Sequence, residues 1–208
     1  MGTGNAYATT STVFGGGIPV WRSIDPNGKW QGGGVIQNLP AEGSVVAAGH
    51  PVEIDTAAHT AKLCNVFKLH AAVLVTDEVL QTVVLPGLPR LKAGNFIGVP
   101  NAAVGGAVTA ITAGAVTQGD IYDEIAIVAN SLGALAINSL LVETVATGSS
   151  VAYAIPNALT SDDVYIEAGT VSATCAGVHT GTVYAERTPL MTTGIKAALT
   201  TIKFDNSH

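Results

Sequence analysis

Residues 43–78 read GSVVAAGHPVEIDTAAHTAKLCNVFKLHAAVLVTDE, and the rest of the chain is organised around this stretch. Two short apolar segments, residues 44–47 and 51–55, flank the tight turn AGHP at residues 48–51. Glycine at the second turn position supplies the positive φ that other residues resist, and proline stands where a strand can begin. The pattern predicts a compact β-hairpin.

A longer β-rich run follows at residues 62–75. Alternation with a period of two assigns its side chains to two faces, Leu63, Phe67 and Leu69 on one and Cys64, Val66, Lys68 and His70 on the other. This spacing is typical of a structural scaffold, and it contains no catalytic pattern.

The composition extends the β prediction to the whole chain. Of the 208 residues, 48% are hydrophobic, only 12% are charged and 24 are glycine. Abundant Ala, Val, Thr and Gly favour many short strands and turns over helices. So few charges leave much of the surface uncharged, as in the core of a protein interface, which predicts that part of it is buried against other chains.

Charge and cysteine content argue against several classes of protein. The net charge is −6 and the nine Lys and Arg residues are scattered, so no basic face can neutralise nucleic-acid phosphates. Two cysteines, Cys64 and Cys175, are too few for a disulfide framework and lack metal-ligand spacing. The uncharged stretches 95–119 and 125–142 are interrupted by Gly, Pro, Asn and Ser, and they predict buried strands rather than membrane spans.

Residues 1–34 are predicted to form a flexible N-terminal arm. Two glycine triplets flank a segment that carries Trp21 and Trp30 around the strong turn DPNG, residues 25–28, which predicts a small hairpin. No Gly-Lys-Ser/Thr follows either triplet, so a phosphate-binding loop is disfavoured. A sharper hypothesis is that the arm docks on a neighbouring subunit, with Phe14, Trp21 and Trp30 as anchors for capsid or subunit contacts.

The expected fold is mainly β: two small β-rich, sandwich- or barrel-like modules at residues 35–100 and 101–208, after the arm at residues 1–34. Further strands are predicted at residues 81–85, 122–129, 137–146, 151–155 and 164–166, with a strand pair around a turn within 104–118 and a terminal pair at 171–176 and 180–186. The stretch 125–140 also fits helical spacing, but Gly133 and its β-branched flanks favour strands. A short helix over 195–199 and a last strand over 201–204 complete the chain.

The residues that could carry chemistry fit structural roles better. His50, His59, Cys64 and His70 lack the spacing of a metal site, and a mid-strand Cys64 lacks the setting of a nucleophile. The acidic pairs Asp77-Glu78, Asp123-Glu124 and Asp162-Asp163 are expected to be solvated residues at turns and strand ends, since no calcium-binding loop pattern surrounds them. No catalytic residue, metal or cofactor is predicted, and the chain is not expected to be an enzyme.

One longer pattern resembles a known family. The order V-x-x-A-G-x-P-V-x-x-D, then T-A-K, then A-A-V, is similar to tailed-phage head fibre or auxiliary capsid (head decoration) proteins of the kind found in Bacteroidales phages and prophages. The matching residues are Val45, Ala48, Gly49, Pro51, Val52, Asp55, Thr60, Ala61, Lys62, Ala71, Ala72 and Val73. The C-terminal stretch, with Glu186-Arg187, then IKAAL at 195–199 and IKF at 202–204, is similar as well.

The resemblance implies a virion protein bound to the exterior of a capsid through the major capsid protein, often as a homotrimer, which reinforces the shell or carries a fibre. The chain departs from a true fibre because it has no coiled-coil or repetitive shaft. A cell-surface or carbohydrate-binding β-sandwich is the alternative. That alternative predicts an exposed aromatic platform, for which Trp21 and Trp30 are the candidates, and an export signal, which the first residues do not show.

Overall fold

A computed structural model of the chain describes residues 19–30, 32–84, 87–100, 102, 105–117, 120–128, 131–149 and 151–206, and for residues 113–121 it describes the backbone alone. The predicted mainly β fold with a short C-terminal helix is confirmed. The strands in chain order are β1 (Trp21–Ile24), β2 (Gly34–Ile36), β3 (Val45–Val46), β4 (Pro51–Asp55), β5 (Thr60–Leu63), β6 (Val66–Lys68), β7 (Val79–Val83), β8 (Phe96–Gly98), β9 (Gly105–Thr117), β10 (Asp120–Ile127), β11 (Leu140–Thr144), β12 (Ala158–Thr160), β13 (Val164–Tyr165), β14 (Thr174–Cys175), β15 (Gly177–Val178), β16 (Gly181–Tyr184) and β17 (Ile202–Asp205).

Six strands form the first barrel, in the order β14-β2-β5-β4-β12-β15. The barrel closes because β14 and β15 are separated by one residue, so a single bent stretch pairs with β2 by its first half and with β12 by its second. Its interior holds a cluster of buried side chains: Ile36, Val46, Val52, Ile54, Ala61, Leu63, Ala158 and Cys175. The separate pair β3-β13 contributes Val46 to this core.

The second barrel has the strand order β6-β11-β8-β9-β10-β7. Its ends join through a bridge between Leu69 and Thr82 and through a 2.8 Å hydrogen bond from the His70 N–H to the Gln81 carbonyl. Its core is larger and consists of Phe67, Leu69, Val73, Leu80, Leu91, Ile97, Val108, Ile125, Ile127, Leu132 and Leu141. Closing a sheet on itself removes most of the unpaired strand edges that would otherwise be exposed.

A third sheet, β1-β16-β17, packs against helix α1 (Thr193–Ala198). The Thr192 side chain caps the helix by accepting a 3.2 Å hydrogen bond from the Ile195 N–H. The shared core is Leu159, Val183, Met191, Leu199 and Ile202. No helix in the described part of the chain is long and apolar enough to cross a membrane.

The two barrels are interleaved along the chain. The first takes its strands from both sides of residues 66–144, and this inserted segment supplies every strand of the second. The expected division at residue 100 therefore cuts through the second barrel and does not separate the two modules. A division by sequence order cannot represent a barrel whose β4 pairs with the distant β12.

The hairpin expected in the opening stretch is wrong in its pairing, although its turn is present. Gly49 has a φ of 79°, and the His50 N–H donates to the Ala47 carbonyl across the turn. However, β3 pairs with β13, whereas β4 pairs with β5 and β12. The turn sends its two strands into different sheets. The predicted turn is therefore present, but the predicted pairing of β3 with β4 is wrong.

Three further strand expectations also fail. The strand pair expected within residues 104–118 is instead one continuous strand, β9. This strand pairs antiparallel with β10, and the register shifts at two places. Residues 151–155 form only an isolated bridge at Ala152. The terminal pair divides between sheets, since β14 pairs with β2 and β16 pairs with β1 and β17.

Candidate functional site

A cleft of about 340 Å³ lies where the two barrels meet α1. Its walls come from the link between β5 and β6, from β11, from residues 151–156 and from α1. Apolar side chains such as Ile155 and Ile195 line most of it. The polar residues Asn65 and Glu143 line the part near the junction of the barrels, and Thr192 lines the part beside α1.

Glu143 is the centre of a buried polar cluster beside this cleft. Only 4% of the residue is exposed. Its Oε2 accepts hydrogen bonds from Asn38 Nδ2 at 2.8 Å and Asn65 Nδ2 at 2.7 Å, and its Oε1 accepts one from Asn95 Nδ2 at 2.9 Å. Burial raises the pKa of Glu143, and the three amide donors act in the opposite direction.

The cluster ties the two barrels together. Asn38 follows β2 of the first barrel, Asn65 lies in the link, and Asn95 precedes β8 of the second barrel. Asn38 also exchanges two hydrogen bonds with the backbone of Leu63, at 2.8 and 2.9 Å, as a neighbouring strand would. The side-chain amides of Asn38, Asn65 and Asn95 all donate to this carboxylate. The arrangement is therefore suited to joining the two barrels rather than to proton transfer.

His50 is buried beside this cluster. It is 0% exposed, and neither ring nitrogen has a hydrogen-bond partner of acceptable geometry in the described chain; nor does Asn65 Oδ1. Burial lowers the pKa of His50 to about 4, and the neighbouring Asn65 side chain offsets only part of this. The imidazole is therefore neutral at physiological pH and acts as a core side chain.

Neither cysteine has the environment of a nucleophile. Cys64 and Cys175 are free, buried thiols. Burial raises the pKa of the Cys64 thiol far above its usual range, with Glu53 and Glu143 adding to the effect, and burial raises the pKa of Cys175 to about 11. Among the described residues, no group of three or more His, Cys, Asp or Glu side chains could hold a metal ion.

The acidic pairs do not all lie where the sequence predicted. Asp77 is at a turn, where its carboxylate accepts a hydrogen bond from the Leu74 N–H, and Asp162 and Asp163 lie at a bend. Asp123 was expected to be solvated, and this is wrong. It is only 3% exposed within β10 and forms a two-point ion pair with Arg90.

Two of the three aromatic residues predicted as contacts pack within their own chain. Trp21 lies on β1 against the third core, and its Nε1 donates to the Thr160 carbonyl at 3.2 Å. Trp30 packs on the first barrel's core, with its ring 5.1 Å from that of His179. Phe14 lies outside the described residues. The turn at residues 25–28 is present, but the expected hairpin is not, because β1 pairs with β16.

Large apolar side chains are exposed at one end of the second barrel. β7 begins there at Val79, and β10 ends there before Val128, with Ala126 paired to Val79. Five large apolar residues at this end are 48–64% exposed, whereas Val73 and Leu132 in the same loops are buried. The apolar end consists of Leu74, Val75, Val79, Val128 and Ile137. Monomeric proteins rarely leave such residues grouped together unless the surface has a partner.

The sequence alone did not reveal the Glu143 cluster. The only available signal was one charged residue in the apolar segment LLVET of β11, because an isolated charge among buried positions requires partners.

In comparisons with known proteins, no family model, curated protein or solved structure matches this chain.

Proposed function

We propose that this protein is a structural component of a phage virion that binds the major capsid protein, decorates the outside of the capsid and reinforces the shell. The proposal starts from the sequence resemblance to head fibre and auxiliary capsid proteins. That resemblance also favours a homotrimer at quasi-threefold positions, where a decoration protein can act as an attachment base for head fibres.

The apolar end of the second barrel is the observation that carries this proposal. Leu74 and Val128 are 64% and 58% exposed, and they belong to the same group of exposed apolar residues as Val75, Val79 and Ile137. Burying them against capsid subunits would contribute about 25 cal/mol per Å² of apolar surface. An attachment repeated at many identical sites needs such a surface and no chemistry.

The rest of the molecule supports a mechanical role. Two closed barrels are joined by the Glu143 cluster and by hydrogen bonds of the Arg90 backbone with Ser44 and Ala41, so load on one barrel reaches the other through several contacts. The net charge of −6 opposes non-specific association between the other faces of unattached copies. The cleft beside α1 has no nucleophile with a lowered pKa among its described lining residues.

Purified virions from the phage or prophage that encodes this chain provide the test. Mass spectrometry should find the protein at a fixed copy number per capsid, and cryo-electron microscopy should place it on the exterior. Absence of the protein from intact particles would overturn the proposal.

A matched pair of variants tests the attachment surface. Val128→Asp introduces a charge into the apolar end, while Val171→Asp makes the same change at a residue that is 94% exposed elsewhere. Added to capsids lacking the protein, the Val128→Asp variant should bind at least about tenfold more weakly, because a buried unpaired carboxylate is costly. Val171→Asp should bind as the natural protein does. Equal binding by both variants would exclude this surface as the attachment site.

The alternative of a carbohydrate-binding surface module has less support. Sugar stacking needs exposed aromatic faces, but Trp21 and Trp30 pack on two different hydrophobic cores of their own chain. A glycan-array screen that detects specific binding by a monomeric protein would favour this alternative.

A further inference from the structure

The long strand β9 has a backbone edge without a described partner. β10 lies along one side of it from Val108 to Thr117. On the opposite side β8 pairs only with residues 105–107, and two hydrogen bonds to Gly94 and Asn95 end the contact at Val108. Among the strands that the structure describes, none lies along the remainder of this side. We call this side of residues 109–117 the outer edge of β9.

This edge lacks the usual protection against pairing. Residues 109–117 read TAITAGAVT and contain neither a charged residue nor a proline. Exposed edge strands are normally short, or they carry Lys, Pro or inward-pointing charges. The edge strands of the third sheet fit that rule, since β1 contains Arg22 and β17 contains Lys203 and Asp205.

The sequence of the edge is suited to pairing with itself. In an antiparallel arrangement centred on Ala113, Thr109 faces Thr117 of the second copy, Ala110 faces a valine, and Ile111 faces an alanine. Thr–Thr pairs are favourable across strands, and this register forms two of them. No like charges meet, whereas other faces of two chains with a net charge of −6 repel one another.

We propose that the outer edge of β9 pairs antiparallel with the same edge of a second copy of this chain, about a twofold axis near Ala113. The two β9–β10 hairpins then form one continuous sheet across the interface. Thr109, Ala110 and Thr112 are exposed in the single chain and become interfacial. This contact does not depend on the proposed capsid role, and it differs from the threefold contact that the family resemblance implies.

Cysteine cross-linking tests both the contact and its register. Ala113→Cys should form a disulfide with its own copy under mild oxidation, because the residue at the axis faces itself. Thr109→Cys alone should not, since two such residues lie about 27 Å apart in this register. An equal mixture of Thr109→Cys and Thr117→Cys chains should cross-link. The natural cysteines are buried and provide no background.

A charge variant tests the contribution of the edge. Thr112→Lys places two like charges close together across the interface, so the dimer dissociation constant should rise at least about tenfold. Thr56→Lys makes the same change at an exposed turn of the first barrel and should have no effect. Unchanged thermal unfolding of both variants establishes that neither has lost its fold.

Sedimentation and deletion distinguish other occupants of the edge. Dimers that persist in Thr112→Lys, trimers with no Ala113→Cys cross-link, or a purely monomeric natural protein would each overturn the inference. If removing residues 1–18 abolishes assembly while the cross-link pattern is absent, that segment and not a second β9 occupies the edge. A chain that decorates capsids but never cross-links at Ala113 leaves the proposed function standing and removes only this contact.

Discussion

Asn65 and Glu143 are joined twice across the boundary between the two barrels. The Asn65 side-chain amide donates to Glu143 Oε2 at 2.7 Å, and the Glu143 backbone N–H donates to the Asn65 carbonyl at 3.1 Å. Asn65 lies in the link between β5 and β6, so this pair fixes the chain where it leaves one barrel and enters the other. A buried carboxylate in such a position is tolerated because three amides solvate it.

Replacing this carboxylate by an amide should destabilise the protein. In Glu143→Gln, the amide oxygen can still accept from Asn38 and Asn65, but its NH₂ group then faces the Asn95 NH₂ group. An unsatisfied buried donor costs about 1–3 kcal/mol of unfolding free energy, which urea denaturation can measure.

The double variant Glu143→Gln/Asn95→Asp should recover most of that loss. The carboxylate introduced at position 95 can accept from the new NH₂ group and can still accept from the Lys92 N–H, as Asn95 does at 2.8 Å. Asn95→Asp alone should be destabilising, because two carboxylates then meet. A double-mutant cycle without coupling would contradict the hydrogen-bond assignment.

His50 should make stability depend on pH. Its pKa of about 4 in the folded protein lies below the ordinary value of 6.5, so only the unfolded chain takes up a proton between these values. Stability from this group is complete above pH 6.5 and is lost as the pH falls towards 4, by about 3 kcal/mol. The raised pKa of Glu143 acts with the opposite sign, favouring the folded state as the pH falls.

The contribution of His50 to the pH dependence of stability can be measured by comparing a variant that lacks this imidazole with the natural protein. The unfolding free energy of His50→Leu should fall less between about pH 7 and pH 4 than that of the natural protein. The variant has no imidazole that is neutral when buried and protonated when unfolded. Parallel pH profiles for His50→Leu and the natural protein would show that burial of His50 is not linked to protonation.

Gly49 should tolerate no side chain, for two separable reasons. Its φ of 79° disfavours other residues, and a Cβ there would lie 2.6 Å from Val20 Cγ1. Gly43 has a φ of 77° but no atom within 4 Å of such a Cβ. Gly43→Ala should therefore cost about 1 kcal/mol for backbone strain, and Gly49→Ala more.

The excess cost at Gly49 should disappear when Val20 is shortened. In a Val20→Ala background, Gly49→Ala should approach the cost of Gly43→Ala, as measured by urea unfolding. Equal costs at the two glycines in the natural background would argue that Val20 does not press on this turn.

Removing one partner of the Arg90–Asp123 pair should destabilise the protein more than replacing both partners by apolar residues. Arg90 Nε lies 2.9 Å from Asp123 Oδ2, and the Asp123 side chain is 5% exposed, compared with 26% for Arg90. Arg90→Ala deprives a buried carboxylate of the guanidinium that neutralises it and should cost about 3 kcal/mol. Arg90→Met/Asp123→Leu should be closer to the natural protein in thermal unfolding. A double variant less stable than Arg90→Ala would indicate that Asp123 has another essential partner.

Local sequence patterns predicted individual elements well. Positive φ at Gly49, the strand from Pro51, the short helix and the final strand each depend on residues within a few positions of one another. The same patterns predicted the wrong partners, because alternation shows which face of a strand is buried but not which strand lies beside it. The hairpin expected from β3 and β4 failed for this reason.

The sequence by itself determined that this chain is mainly β, uncharged over much of its surface and punctuated by glycine turns. Only the tertiary structure decided that one barrel is inserted into another, that β4 meets β12, and that Asn38, Asn65 and Asn95 converge on Glu143. Turn and helix preferences arise from the backbone of adjacent residues. The pairing of distant strands and the solvation of a buried charge depend on groups brought together by folding, which no local window of sequence contains.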